Sequence, residues 1–294
     1  DLMPELPEVE TIRRQLRAAG IEGRRIERVR IDWPRTVDPL SPAAFAQRVK
    51  GRTLQRLRRH GKWMIFELDA ENHLLIHLRM TGGFDLTHGR LRRGPYDRVI
   101  LRLAGELNLH YRDPRKFGRW QLGPAPAGVG PDALRMRTAT LVRALGTRRR
   151  MVKALLLDQS FVAGIGNIYA DESLFAAGID PRRDTATLTA SERAVLAEAV
   201  KRVLRAAVRN QGTSLGNGLG NYRDLYGNPG GHRERAQVYG RAGHPCPRCG
   251  HPLQKTRLAP GGLLALPGGR VAGQPGQQAP GPIRQAVPHL LAEV

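Results

Sequence analysis

Acidic residues are scarce in this chain: 26 Asp and Glu face 48 Lys and Arg, a formal net charge of +22. That imbalance argues against an ordinary enzyme of small metabolites and for a polyanionic partner, because each phosphate neutralised by Lys or Arg releases counterions. Cysteine is scarcer still. Two residues, Cys246 and Cys249, cannot form a disulfide scaffold. No apolar run reaches the roughly 18 residues a membrane span requires. The opening residues are acidic and carry no apolar segment, so no signal peptide is read. The expected setting is cytoplasmic, in contact with the nucleoid.

The 294 residues allow two modest domains. Arginine dominates the basic residues, which suits bidentate phosphate contacts. Leu6, Val9, Ile12, Leu16 and Ala19 recur at helical spacing, and Gly20 ends that helix. From residue 26 to 120 the pattern changes to short strands broken by turns: around Val29 and Ile31, around Met64, Phe66 and Leu68, and over 73–78, 98–103 and 106–111. This predicts a sandwich or barrel-like β domain. Residues 123–131, rich in Gly, Pro and Ala, read as a linker. Helices follow over 134–145, 151–157 and 171–177. A capping box at Thr189-Ala190-Ser191-Glu192 opens a long amphipathic helix. Residues 212–231 read as a mobile glycine- and asparagine-rich loop, and 237–239 as a strand. The tail from residue 259 reads as disordered.

Five stretches hold candidate chemistry. In Met3-Pro4-Glu5-Leu6-Pro7-Glu8-Val9-Glu10, removal of Met3 would leave Pro4 as a free secondary amine beside a carboxyl group. An α-amino group titrates at roughly 7.7–8.0, so a usable fraction is neutral near pH 7. Glu5 can serve as general acid or base. A proline in a first helical turn is also ordinary helix chemistry. Arg58-Arg59-His60-Gly61-Lys62 reads as a solvated turn, or as a placement of Lys62 on a phosphate or near the amine. His77-Leu78-Arg79-Met80-Thr81-Gly82-Gly83 and Asp113-Pro114-Arg115-Lys116-Phe117-Gly118 offer apolar wedges next to arginine, which DNA kinking around a flipped nucleotide requires. Taken singly, Met80 and Phe117 are expected in the core, as apolar residues of their kind usually are. Gly164-Ile165-Gly166-Asn167 offers backbone N–H groups to a phosphate at a helix start.

Pro4-Glu5-Leu6-Pro7-Glu8-Val9-Glu10, His77-Leu78-Arg79-Met80-Thr81-Gly82, Asp113-Pro114-Arg115-Lys116-Phe117-Gly118, Gly166-Asn167-Ile168-Tyr169-Ala170 and Val238-Tyr239-Gly240-Arg241 stand together in order. In these stretches the chain resembles the formamidopyrimidine-DNA glycosylases, bacterial enzymes that remove oxidised purines. The resemblance implies an α+β chain. A catalytic β-sandwich domain with an N-terminal helix would span 4–122, a helix–two-turn–helix domain 131–227 and a zinc-finger region 236–258, followed by a divergent tail over 259–294. It implies a monomer that binds duplex DNA containing oxidised bases and acts as a bifunctional glycosylase and abasic-site lyase. Pro4 is then the nucleophile, Glu5 handles protons at the sugar, and Lys62 contacts the backbone. Met80, Arg115 and Phe117 fill the vacated stack. Lys153 lies beside the lesion phosphate and Asn167 holds the backbone. The residue 212–231 loop is expected to order over the extruded base.

No cofactor is needed for that chemistry. A structural zinc is expected for the family, but its site uses two cysteine pairs and here only Cys246 and Cys249 are present. The expectation is a partial finger that binds zinc poorly or not at all. With Asp1, Leu2 and Met3 attached, Pro4 would lie inside an amide, so the working protein is expected to begin at Pro4. The alternatives are a sister group preferring oxidised pyrimidines and a catalytically impaired protein that binds damaged DNA.

Overall fold

The computed structural model describes residues 3–216, 218, 221–258 and 262–264. Asp1, Leu2 and most of the tail that reads as disordered lie outside the described residues. The chain divides into two compact units. One comprises Asp1–Asp132, Val162–Gly164 and Leu204–Glu234; the other comprises Ala133–Phe161, Ile165–Val203 and Arg235–Val294.

The first unit opens with helix α1, Leu6–Ala18, whose Leu6, Val9, Ile12 and Leu16 are buried along one stripe. Eight strands follow: β1 Ile26–Ile31, β2 Leu54–His60, β3 Trp63–Leu68, β4 His73–His77, β5 Gly83–His88, β6 Asp97–Leu103, β7 Leu107–Arg112 and β8 Arg119–Gly123. They form two antiparallel four-stranded sheets, ordered β1-β6-β7-β5 and β2-β3-β4-β8. Alternation along β3 turns Met64, Phe66 and Leu68 inward. These join residues of the other sheet in one core, so the sandwich-like reading holds. Phe66, Phe84, Tyr111 and Trp120 form its aromatic centre, with neighbouring ring centroids 5.4–6.4 Å apart. A short helix that the sequence pattern did not reveal, α2 Pro42–Val49, is capped by Ser41, whose hydroxyl accepts the Ala44 N–H at 3.2 Å.

Helices dominate the second unit: α3 Thr138–Leu145, α4 Val152–Leu157 and α5 Asn167–Ala177, with α6 Ala190–Arg209 crossing the boundary between units. The capping box before α6 is present, Glu192 N–H donating to Thr189 Oγ1 at 3.1 Å and Thr189 N–H to Glu192 Oε2 at 2.8 Å. Helix α5 is buried along nearly its whole length and ends at Gly178 with φ +70°.

Two expectations are corrected. Residues 237–239 form no strand; their three N–H groups donate to the buried Glu172 carboxylate at 2.8–2.9 Å instead of to a neighbouring strand. Residues 262–264, inside the stretch read as disordered, form a strand (β10) that pairs with β9, Thr256–Leu258.

Buried charge braces the first unit. Glu10 accepts from Arg13 (2.9 and 3.0 Å), Arg14 (2.8 Å) and Arg59 (3.1 Å), and Arg59 is 1% exposed. Burial pushes the Glu10 pKa up, but the Arg13 hydrogen bonds and the Arg59 charge outweigh it and hold the pKa near 2, below the ordinary 4.5. A depressed carboxyl pKa stabilises the fold above pH 4.5, and that contribution is lost as pH falls towards 2. Glu10→Gln is therefore expected to lower unfolding free energy at pH 7 by about 2–3 kcal/mol. The deficit should shrink between pH 4.5 and 2 in urea titrations.

Candidate active site and nucleic-acid interface

Two hydrogen bonds fix the chain where it enters α1. Leu6 N–H donates to the Gly164 carbonyl at 3.0 Å, and Glu5 N–H donates to Glu8 Oε2 at 2.9 Å. The other oxygen of Glu8, which is fully buried, accepts the Thr213 N–H at 2.7 Å. Glu8 is thus the third helical residue reaching back to the cap, as in a capping box. Gly164 lies at φ +111°, and a Cβ there would stand 2.5 Å from Leu6 Cδ1, so only glycine allows this approach. Pro4 and Glu5, both buried, are held at the mouth of a rigid helix. Pro4 lines a cavity of about 290 Å³ together with Met80, Thr81, Asp85, Arg112 and Tyr222. Gly218, Asn221 and Asp224 of the glycine-rich loop also line it.

Lys62 occupies the second position of the two-residue turn between β2 and β3, where His60 pairs with Trp63. Gly61 takes the first position at φ +57°, the conformation such a turn demands of its leading residue. Burial lowers the Lys62 pKa; the Glu5 and Glu8 carboxylates act in the opposite sense, and Arg79 adds to the lowering. Its ammonium therefore feels the two carboxylates beside Pro4. The turn is braced from beneath. Asp132 accepts the Gly61 N–H at 2.8 Å and the Arg59 guanidinium at 2.5 Å. The reading of residues 58–62 as a solvated turn is corrected on this ground, since Arg59 and Lys62 are buried.

Met80 and Phe117 are not core residues either: Met80 is partly exposed and Phe117 is 45% exposed. The Arg115 guanidinium lies 5.0 Å from the Phe117 ring centre. Asp113 ties the two loops together, accepting the Thr81 hydroxyl and the Gly118 N–H (2.7 Å), while Thr81 Oγ1 accepts the Arg115 N–H at 3.2 Å. The Tyr111 hydroxyl presses on both loops. A Cβ at Gly82 would stand 2.4 Å from it and one at Gly118 1.6 Å, so both positions exclude a side chain.

The second unit carries the other predicted residues. Lys153 is buried, its Nζ donating to the buried Asp171 carboxylate at 2.6 Å. Asn167 opens α5 with its side-chain oxygen buried and without a hydrogen-bond partner among the described residues. Cys246 is buried and Cys249 partly so, and the Arg248 N–H points at Cys246 Sγ (3.4 Å), a knuckle-like turn. A closed zinc site takes four sulfur or imidazole ligands. Among the described residues no group of three or more His, Cys, Asp or Glu could hold a metal. The residues present do not fit that site. Glu172 and Arg248 anchor this segment, the latter over the Phe175 ring (4.4 Å) and donating to the Ala176 carbonyl (3.2 Å).

Glu8, Asp113, Asp132 and Glu172 were not picked out as site residues from the sequence. Only Glu8 left a signal, its three-residue spacing from Glu5; the other three are defined by contacts distant in sequence.

Residues 3–120 match the formamidopyrimidine-DNA glycosylase N-terminal domain and residues 127–217 the H2TH domain of the same enzymes. A formamidopyrimidine-DNA glycosylase of Moorella thermoacetica is 44% identical over 270 residues, covering 87% of this chain and 95% of the relative. One from Herpetosiphon aurantiacus is 40% identical, with 87% and 96% covered. Among solved structures, a Lactococcus lactis Fpg mutant in complex with Fapy-dG-containing DNA superposes with a TM-score of 0.78 at 32% identity, covering 87% of this chain and 95% of that one. The MutM (Fpg) protein of Thermus thermophilus gives 0.76 at 38%, with 87% and 94% covered. The chain belongs to the formamidopyrimidine-DNA glycosylase family. No helix among its described residues is long and apolar enough to cross a membrane.

Because Glu172 holds residues 237–239 with three N–H bonds, exhaustive chelation is expected to leave the melting temperature unchanged. Glu172→Gln should lower it by several degrees, about 1–3 kcal/mol for N–H groups left unpaired. Calorimetry with metal analysis checks both.

Proposed function

We propose that this chain excises oxidised purines, 8-oxoguanine and formamidopyrimidines, from duplex DNA and then cleaves the strand at the emptied site. Residues 4–122 would supply the catalytic domain and 131–227 the helix–two-turn–helix grip on DNA, the chain acting as a monomer in the cytoplasm on nucleoid DNA. The observation that carries this reading is Pro4 held at a capped helix entrance, lining a cavity beside Met80.

The chemistry follows from a free amine at Pro4. Its nitrogen lone pair forms a bond to C1′ of the flipped nucleotide as the glycosidic bond breaks; the base leaves with the electron pair of the glycosidic bond and takes up the proton that the Pro4 nitrogen releases. Glu5 protonates the sugar ring oxygen, the ring opens, and an iminium joins Pro4 to C1′. The iminium draws electrons from C2′ after proton loss, expelling the 3′ phosphate. A second elimination expels the 5′ phosphate and leaves a one-nucleotide gap, and water hydrolyses the iminium to release the sugar remnant as an aldehyde and restore the Pro4 amine. The buried Lys62, in the field of Glu5 and Glu8, is assigned to a phosphate of the DNA backbone. Met80, Arg115 and Phe117 would fill the vacated stack, which their exposure and the shared Asp113 brace support. Lys153 is assigned beside the lesion phosphate and Asn167 to the DNA backbone, the latter supported by its place at the start of α5. The glycine-rich loop is assigned to the extruded base, as its residues line the Pro4 cavity.

Borohydride reduction during turnover tests this. Protein beginning at Pro4 is expected to form a covalent adduct with an 8-oxoguanine:cytosine duplex and to excise that base faster than thymine glycol. Absence of an adduct would make the protein a binder only, and faster thymine-glycol excision would move it to pyrimidine lesions.

A further inference from the structure

The outer face of the β1-β6-β7-β5 sheet carries a second basic feature, apart from the Pro4 cavity. Arg28 and Arg30 of β1, Arg102 of β6, and Arg90 of the loop after β5 line a groove of about 580 Å³, with Ile100 at its floor. Glu27 is the one acidic residue in that lining. The groove sits at the β1 edge, whereas Gly83 and Asp85, which line the Pro4 cavity, belong to β5 at the opposite edge. Three strand spacings, roughly 14 Å, separate those edges.

Two observations point to an anionic occupant. Arg28 and Arg102 are directly opposed in the β1–β6 register, a like-charge pair that costs folding energy. Arg28 and Arg90 are exposed and make no ion pair or hydrogen bond among the described residues. Arg102 donates to the Gly89 carbonyl and to Asn108 Oδ1 (3.1 Å), which fixes its guanidinium in the groove wall. Arg30 pairs with Asp32 at 2.9 Å and Arg102 lies 3.8 Å from Glu106, so the fold accepts repulsion and leaves two of the four groove cations, Arg28 and Arg90, without a carboxylate partner among the described residues. Two further arginines of the same loop, Arg92 and Arg93 in Gly89-Arg90-Leu91-Arg92-Arg93-Gly94, extend the positive rim, Arg93 being paired with Asp32 at 3.0 Å.

We infer that this groove binds the phosphate backbone of a second, undamaged duplex segment while the first occupies the lesion site. The inference rests on the DNA-directed reading above. Arg28 and Arg90, exposed and without a carboxylate partner, are the groove side chains placed to meet phosphates. The interaction is one of charge and carries no sequence preference. Its consequence is transfer between DNA segments without full release, useful to an enzyme that must inspect many normal base pairs.

The test uses the full chain bound to a short duplex carrying a non-cleavable abasic analogue, with a labelled undamaged duplex added. A ternary complex is expected, and the double variant R28Q/R90Q should weaken it. The slope of log affinity against log salt should fall by about 1.8, two phosphate contacts at about 0.9 each. Excision from a short lesion duplex should stay within twofold, and that readout reports on the lesion site independently. No ternary complex, or an unchanged salt slope in the variant, overturns the inference. Equal loss of binding to the first duplex also overturns it, since the groove would then belong to the lesion-bound path.

Discussion

One buried carboxylate sets where this chain becomes rigid. Glu8 takes the Glu5 N–H with one oxygen and the Thr213 N–H with the other, so the start of α1 and the base of the glycine-rich loop share a single anchor. Each of those N–H groups would otherwise be buried and unpaired, at a cost of about 1–3 kcal/mol. Gly164 closes the arrangement from a third side by accepting the Leu6 N–H. Everything assigned to Pro4 depends on this rigidity. An amine on a frayed terminus would have to be ordered in every catalytic cycle, whereas here the ordering is completed on folding.

The same economy runs through the protein. It has few acidic residues for its many bases, and those that are buried hold the segments on which function is proposed. Asp132 supports the Lys62 turn, Asp113 joins the Met80 and Phe117 loops, Asp171 meets Lys153, and Glu172 captures residues 237–239. Placing carboxylates inside leaves the exterior strongly positive, as a polyanion-binding protein requires. It also makes each of these carboxylates costly to remove, because an arginine or a set of N–H groups would be left buried without its partner.

Much of the architecture was legible in the sequence because it rests on local pattern. The α1 stripe, the alternation in β3, the Thr189–Glu192 box and the change from strands to helices at the linker are all readable from spacing. Helix α2 escaped because eight residues opening with Pro-Ala-Ala give a weak period. Residues 237–239 have the composition of a strand, yet their hydrogen bonds go to a side chain 65–67 positions earlier. No local signal encodes that. For the candidate site, motif order singled out Pro4, Lys62 and the two loops, and burial statistics misjudged Met80 and Phe117 because an exposed apolar residue and a core one are the same chemical type. The braces beneath them are products of tertiary contact and became visible only in the fold.

The proposed chemistry depends on the nitrogen of residue 4. Single-turnover strand cleavage of an 8-oxoguanine duplex, compared between protein whose intact mass shows Pro4 at the terminus and protein that retains Met3, addresses it directly. A tertiary amide has no lone pair to give, so the form retaining Met3 is expected to bind DNA with cleavage reduced by at least about a thousandfold, the scale lost when a covalent nucleophile is removed. Equal cleavage by the two forms would contradict the assignment of Pro4 as nucleophile.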